Sequence, residues 1–199
     1  FPAYGEKQKL VKKENQRVKL TKKLLKQSLL DIMDKKPVGS ISVIELCEKA
    51  EINRSTFYNH YGCPNDVLYD IECDFVEDLE LIWTKNNDKE YPIEKRVEDL
   101  CTYLQDNKKL AKLLLKESYT SEFPKLLFKA AHVKNLYENM FSEISDEQGR
   151  KLLITFFTSG TYNMLREWLN SPDPLSPEEM GELVKTMSAN DFKKFFKGL

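Results

Sequence analysis

Glycine and proline are scarce, at 7 and 8 of 199 residues, and that scarcity argues against a turn-rich β architecture, which needs both at its chain reversals. Apolar runs are short. None approaches the roughly 18 residues that cross a bilayer, and no signal-peptide core precedes a small-residue cleavage site. The expectation is a soluble, cytoplasmic chain with no membrane partner. The four cysteines, Cys47, Cys63, Cys73 and Cys101, include no Cys-x-x-Cys pair, so neither a zinc site nor a disulfide framework is indicated. A Gly-rich phosphate loop, a cluster with metal-ligand spacing and a nucleophile–base pair are also missing, so no enzyme, metal or cofactor is expected.

What the chain does contain is helix-forming and unevenly charged. Apolar residues make up 41% and charged residues 32%, enough of the first to fill a core and to exclude wholesale disorder. The net charge of −1 conceals a division. Through residue 60 there are 13 basic and 7 acidic side chains, a net +6, whereas residues 66–106 hold 4 basic and 13 acidic ones, a net −9. A basic head on an acidic body suits a protein that offers one end to a polyanion.

Periodicity gives about nine helices. Leu24, Leu25, Leu29, Ile32 and Met33 recur at helical spacing in a first helix from Thr21 to Lys36, which Pro37 and Gly39 terminate. Ser42-Val43-Ile44-Glu45 reads as a capping box that starts a short helix to Ala50. Asn53 is a suitable N-cap for a further short helix carrying Phe57, Tyr58 and Tyr61. Two short helices joined by a tight turn, after a longer one, form a tri-helical helix-turn-helix. Pro64 opens a long helix to about Lys85, and Pro92 opens one whose apolar face is Ile93, Val97, Leu100, Cys101 and Leu104. Helices follow over 108–117, 122–142, 146–170 and 177–189, the last two begun by Ser145-Asp146-Glu147-Gln148 and Ser176-Pro177-Glu178-Glu179 capping boxes. The expected organisation is a basic extension over 1–18, a helix-turn-helix domain over 19–64, and a helical effector-binding and dimerisation domain over 65–199.

The stretch from Ser42 to Asp70, SVIELCEKAEINRSTFYNHYGCPNDVLYD, closely resembles the DNA-binding signature of the TetR (tetracycline-repressor) family of transcriptional regulators. Asn53 to Tyr61 falls on the recognition helix. Arg54 suits a phosphate or guanine edge, and Ser55 and Thr56 bring hydroxyls. The resemblance implies that Ser42, Thr56, Tyr58 and His60 position the DNA backbone, while Arg54, Ser55 and Asn59 lie nearer the bases. Phe57 and Tyr61 are expected in the core. Two departures stand out. Glu51 occupies a turn position where the family usually has glycine, so it must take a left-handed conformation at a cost of roughly 1 kcal/mol. The lysine common at the start of the fourth helix is replaced by Gly62-Cys63-Pro64, which shifts the expected phosphate contacts toward Lys19, Lys22 and Lys23.

Beyond Asp88, Tyr103-Leu104-Gln105-Asp106-Asn107, Leu113-Leu114-Leu115 and the stretch Phe156 to Val184 resemble a C-terminal module of Gram-positive TetR-type regulators. On the 146–170 helix, Leu152, Phe156, Gly160 and Asn163 form one stripe, and Leu153, Phe157, Met164, Leu165 and Trp168 another. An apolar arc that broad suits a helix covered on two sides, one of them by a second copy. With Met180, Leu183, Val184 and Met187 from the next helix, a four-helix dimer bundle is expected. Tyr103, Phe123, Phe128, His132, Tyr137 and Tyr162 are the candidates to line a cavity for a small-molecule effector. The resemblance therefore implies a homodimeric repressor that binds double-stranded DNA at a near-palindromic operator and is released by an effector. The alternative is an activator or co-regulator on the same scaffold, controlled by a protein partner.

Overall fold

The computed structural model describes residues 16–85, 91–117 and 144–187, together with 123, 126, 127, 138, 141 and 142. Among these residues are eight α-helices, one 3-10 turn and no strand. The all-α expectation holds, and the helix foreseen over 122–142 falls largely outside the described residues. The chain divides into two compact units, the first through Ile71 and the second from Glu72.

The first unit holds α1 (Gln16–Met33), a 3-10 turn (Val38–Ser40), α2 (Val43–Ala50), α3 (Arg54–Tyr58) and the opening turns of α4 (Pro64–Lys85). α1 starts five residues earlier than its apolar periodicity indicates, because Gln16 to Leu20 are competent helix formers that bury little. It buries Leu25, Ser28, Leu29, Ile32 and Met33, whereas Leu24, grouped with them by spacing, stays 43% exposed. Leu25, Leu29, Leu46, Phe57 and Val67 are fully buried and make the centre of this unit. Each such side chain contributes about 1.5–3 kcal/mol of transfer free energy.

Local chemistry sets the ends of these helices. Ser42 Oγ accepts the Glu45 N–H at 3.2 Å, as a capping box requires, while the Glu45 carboxylate accepts from Lys36 Nζ at 2.6 Å. α2 closes on Glu51 at φ 56°, ψ 39°, the left-handed conformation the sequence implied. The Ile52 N–H donates to the Cys47 carbonyl at 2.9 Å and the Glu51 N–H to the Glu48 carbonyl at 3.2 Å. These are the paired bonds of a Schellman closure, which satisfies the last carbonyls of α2.

In the second unit, α5 (Ile93–Asp106) and α6 (Lys108–Glu117) precede α7 (Glu147–Asn170) and α8 (Pro177–Met187). α8 lies on α5, where Lys185 Nζ reaches Glu94 Oε1 at 2.9 Å. α6 meets α7, and the buried Tyr162 hydroxyl donates to the Leu115 carbonyl at 2.8 Å. The Trp168 indole N–H donates to the Leu175 carbonyl at 2.8 Å and closes the proline-bearing loop between α7 and α8. Arg96 donates to the Trp83 carbonyl near the end of α4 at 2.6 Å, with its guanidinium 5.7 Å and 5.4 Å from the Trp83 and Tyr91 ring centres. A cation suits that end of a helix, where the dipole is negative. The cap of α7 is Asp146 rather than Ser145: its carboxylate accepts from Gln148 and Gly149. The Ser176 box of α8 is complete, since Ser176 Oγ accepts the Glu179 N–H and Glu179 accepts the Ser176 N–H at 2.7 Å.

Candidate nucleic-acid interface

Three residues, Glu51 to Asn53, separate α2 from α3. Asn53 caps α3 through its side-chain oxygen, which accepts the Ser55 N–H at 3.0 Å and the Ser55 hydroxyl at 3.1 Å. That bond engages the Ser55 hydroxyl proton, so its lone pairs remain to accept. α3 is only five residues long. Beyond it the Asn59 N–H donates to the Ser55 carbonyl, and the His60 and Tyr61 N–H groups both donate to that of Phe57. The recognition segment thus tightens over Asn59 to Tyr61, where the sequence suggested a continuous helix.

One side of this short helix is anchored and the other faces outward. Phe57 is fully buried and Tyr61 is 7% exposed, with their ring centres 6.0 Å apart. Arg54, Ser55, Tyr58 and Asn59 are exposed, Tyr58 at 60%, while Thr56 and His60 are half-buried. The exposed Ser42 stands at the start of α2. The structure therefore brings the sequence-selected residues onto one helix-turn-helix, with Phe57 and Tyr61 as its inner wall. Beside the turn lies an open depression lined by Ile44, Cys47, Glu48, Glu51, Ile52, Asn53 and Arg54. Burial pushes the Cys47 thiol up against the opposing pull of the Arg54 guanidinium, so it stays protonated near neutral pH.

Two carboxylates that sequence reasoning passed over shape this surface. Asp66 accepts from the Gly62 N–H at 2.7 Å and the Cys63 N–H at 3.1 Å, occupying the opening of α4. Asp70 accepts from the Tyr61 hydroxyl at 2.6 Å and lies 3.1 Å from Lys26 Nζ and 3.8 Å from Lys22 Nζ. Burial works to raise the Asp70 carboxyl, but Tyr61, Lys26 and Lys22 outweigh it and hold it below the ordinary aspartate value. Lys22, expected at DNA phosphates, is therefore engaged by Asp70.

The other candidates are distributed through the second unit. Tyr103 donates to Asp78 Oδ2 at 2.8 Å, and its ring meets Phe75, as does that of the buried Phe123. Burial first, then the hydrogen bond to Asp78 and the charges of Asp78 and Asp74, push the Tyr103 hydroxyl well up. Burial alone pushes the Cys101 thiol up to about 12. The Tyr162 hydroxyl is tied to the Leu115 carbonyl. Phe128, His132 and Tyr137 lie outside the described residues. On α7, Leu152 and Phe156 are 63% and 64% exposed, and Gly160 and Asn163 are exposed with them. On α8, Leu183 is 38% exposed and Val184 half-buried, but Met180 is buried at 1% within its own chain. Met187 is the last residue of that helix. Among the described residues no cluster of three metal-ligating side chains occurs, and no helix is long and apolar enough to cross a membrane.

Residues 92–190 match the family model described as the C-terminal region of TetR-type transcriptional regulators. With the helix-turn-helix geometry, that match decides the family. The chain belongs to the TetR family of transcriptional regulators. Three solved structures share its fold. A TetR transcriptional regulator from Streptococcus agalactiae 2603V is 20% identical, with a TM-score of 0.63, over 86% of this chain and 95% of that one. Thermus thermophilus FadR, a TetR-family repressor solved with lauroyl-CoA, is 12% identical over 83% and 92%, with a TM-score of 0.53. The dihydroxyacetone kinase operon activator DhaS is 18% identical over 84% and 93%, with a TM-score of 0.50. No curated protein sequence matches.

Proposed function

We propose that this TetR-family regulator is a cytoplasmic, non-enzymatic homodimer that represses transcription by binding a near-palindromic operator through α2, the turn and α3. The observation that carries the reading is the outward presentation of Arg54, Ser55 and Tyr58 from a capped five-residue helix, and of Asn59 just after it, with the inner side locked by Phe57. Arg54 supplies a guanidinium for a guanine edge or phosphate, Asn59 an amide for adenine, and Tyr58 a hydroxyl for the backbone. Ser42 and the half-buried Thr56 and His60 fix the approach to the phosphates. Two such heads related by a dyad read two half-sites about one helical turn apart. The stripe of Leu152, Phe156, Gly160 and Asn163, continued by Leu183 and Val184, is the surface for the second copy. A small-molecule effector taken up among the helices of the second unit lowers operator affinity. The acyl-CoA bound by FadR supports that part of the reading.

Selection of bound fragments from genomic DNA tests the proposal directly, since it reports both binding and operator symmetry. Arg54→Ala and Tyr58→Ala are each expected to weaken operator binding by about 1–3 kcal/mol, with the helical circular dichroism signal intact. Full affinity in both variants would count decisively against α3 as the reading element. The likeness to the operon activator DhaS favours a second reading, an activator on the same scaffold, for which we infer control by a protein partner. A stable stoichiometric complex on gel filtration, together with activation of a reporter, would select it.

A further inference from the structure

Asp70 collects three donors from two other segments of the head. The Tyr61 hydroxyl donates to Oδ2 at 2.6 Å, and Lys26 Nζ stands 3.1 Å from the same oxygen and 3.3 Å from the Asp70 backbone carbonyl. Lys22 Nζ lies 3.8 Å from Oδ2 and 5.9 Å from the centre of the Tyr61 ring. The two lysines are one helical turn apart on α1, so they share a face. Both belong to the basic stretch that otherwise fits a DNA backbone. An ammonium that shares a protein carboxylate has fewer free N–H donors and less uncompensated charge to offer a phosphate. Such a lysine adds little to the counterion release that drives sequence-independent binding.

We propose that Asp70 is a specificity-determining residue of the DNA-binding head, withholding Lys22 and Lys26 from the DNA backbone so that α3 dominates recognition. This rests on the DNA-binding reading above. Asp70→Asn separates charge from shape: the amide oxygen still accepts from Tyr61, but the negative charge of Asp70 beside the two lysines is removed.

Binding of the full chain to a short mixed-sequence duplex and to its selected genomic fragment should be followed by fluorescence anisotropy from about 50 to 200 mM salt. For Asp70→Asn, low-salt affinity for the mixed-sequence duplex is expected to rise about tenfold. The plot of log affinity against log salt should steepen by about one to two units, and preference for the selected fragment should fall. A purely structural role would instead weaken both duplexes in parallel without steepening either slope, and that result overturns the inference. Acetylation footprinting of the wild-type chain is independent of how the variant folds. Lys22 and Lys26 are expected to keep their reactivity when the mixed-sequence duplex is bound, and protection of either overturns the inference. A wild-type chain that binds no duplex at low salt sinks the DNA-binding reading and this inference together. Wild-type binding with an unsteepened Asp70→Asn slope sinks this inference alone.

Discussion

Asp66 accepts the backbone N–H of Gly62 at 2.7 Å, so the opening of α4 is closed by a carboxylate of its own chain. Helix N-termini favour anions through their unsatisfied N–H groups and positive dipole end, and a DNA phosphate at this point would compete with Asp66 for both. The substitution Asp66→Ala therefore acts in two directions. Loss of the cap is expected to lower stability by about 1 kcal/mol, as for other N-terminal caps. Removing the negative charge and uncovering the Gly62 and Cys63 N–H groups is expected to raise duplex affinity several-fold at low salt. Urea unfolding and fluorescence anisotropy on the same preparation check both signs. Affinity that falls with stability would show that α4 does not approach the phosphates.

The Asp70 carboxyl is held below the ordinary aspartate value of 3.8, and the consequence for acid stability has a definite sign. A depressed folded-state value means that the ionised form is favoured by folding. Its contribution is complete above pH about 3.8 and fades as the pH drops through the lower folded-state value. The stability difference between wild type and Asp70→Asn is therefore expected to be largest near neutrality and to shrink at acid pH. Urea unfolding midpoints of the two chains across that range provide the test. A gap that stays constant into acid would mean that the charge of Asp70 does not support the fold.

Two positions, one at a helix end and one within a helix, respond oppositely to glycine and its absence. Glu51 sits at φ 56°, and relieving its Cβ of the left-handed conformation by Glu51→Gly is expected to stabilise the head by about 1 kcal/mol. At Gly181, a Cβ would run into the Glu94 carbonyl oxygen of α5. Helix propensity alone favours Gly181→Ala by roughly 1 kcal/mol. The opposing atom is backbone, however, and overpacking costs about 1–3 kcal/mol, so net destabilisation is expected. Thermal unfolding of the two variants checks the pair of signs.

These cases show which features a sequence displays and which it hides. Ser42, Asn53 and Ser176 were legible as caps because a cap and its N–H donor lie two or three residues apart. Ser145 and Asp146 are both competent caps, and propensity could not choose between neighbours, so the start of α7 shifted by one residue. The reversal at Gly62 and Cys63 brings Tyr61 back onto Asp70, and no periodicity encodes a bond across such a turn. Lys22 was selected by charge, which does not register a carboxylate supplied by another helix. Met180 shared a helical face with Leu183 and Val184, yet amphipathicity cannot tell a chain's own α5 from a second copy. The adjacent Gly181, pressed on Glu94, marks the side that α5 covers.

The stripe on α7 gives the sharpest test of assembly. Leu152 and Phe156 lie one turn apart and are 63% and 64% exposed, with the small Gly160 a turn further on. Two large apolar side chains left in water on one face forgo about 1.5–3 kcal/mol each, which burial against a second copy would recover. Among the described residues, no atom outside its own stretch of helix lies within 4 Å of where a Gly160 Cβ would stand, so the helix surface there is open to close approach. Since these side chains contribute little to their own chain's core, Leu152→Glu with Phe156→Glu is expected to leave each protomer folded while placing like charges face to face across a dyad. Sedimentation should then report a monomer, with a circular dichroism spectrum like that of the wild type. Operator affinity should fall toward that of a single head, because the second half-site no longer binds as part of the same particle. A doubly substituted chain that still sediments as a dimer would move the interface off this face of α7.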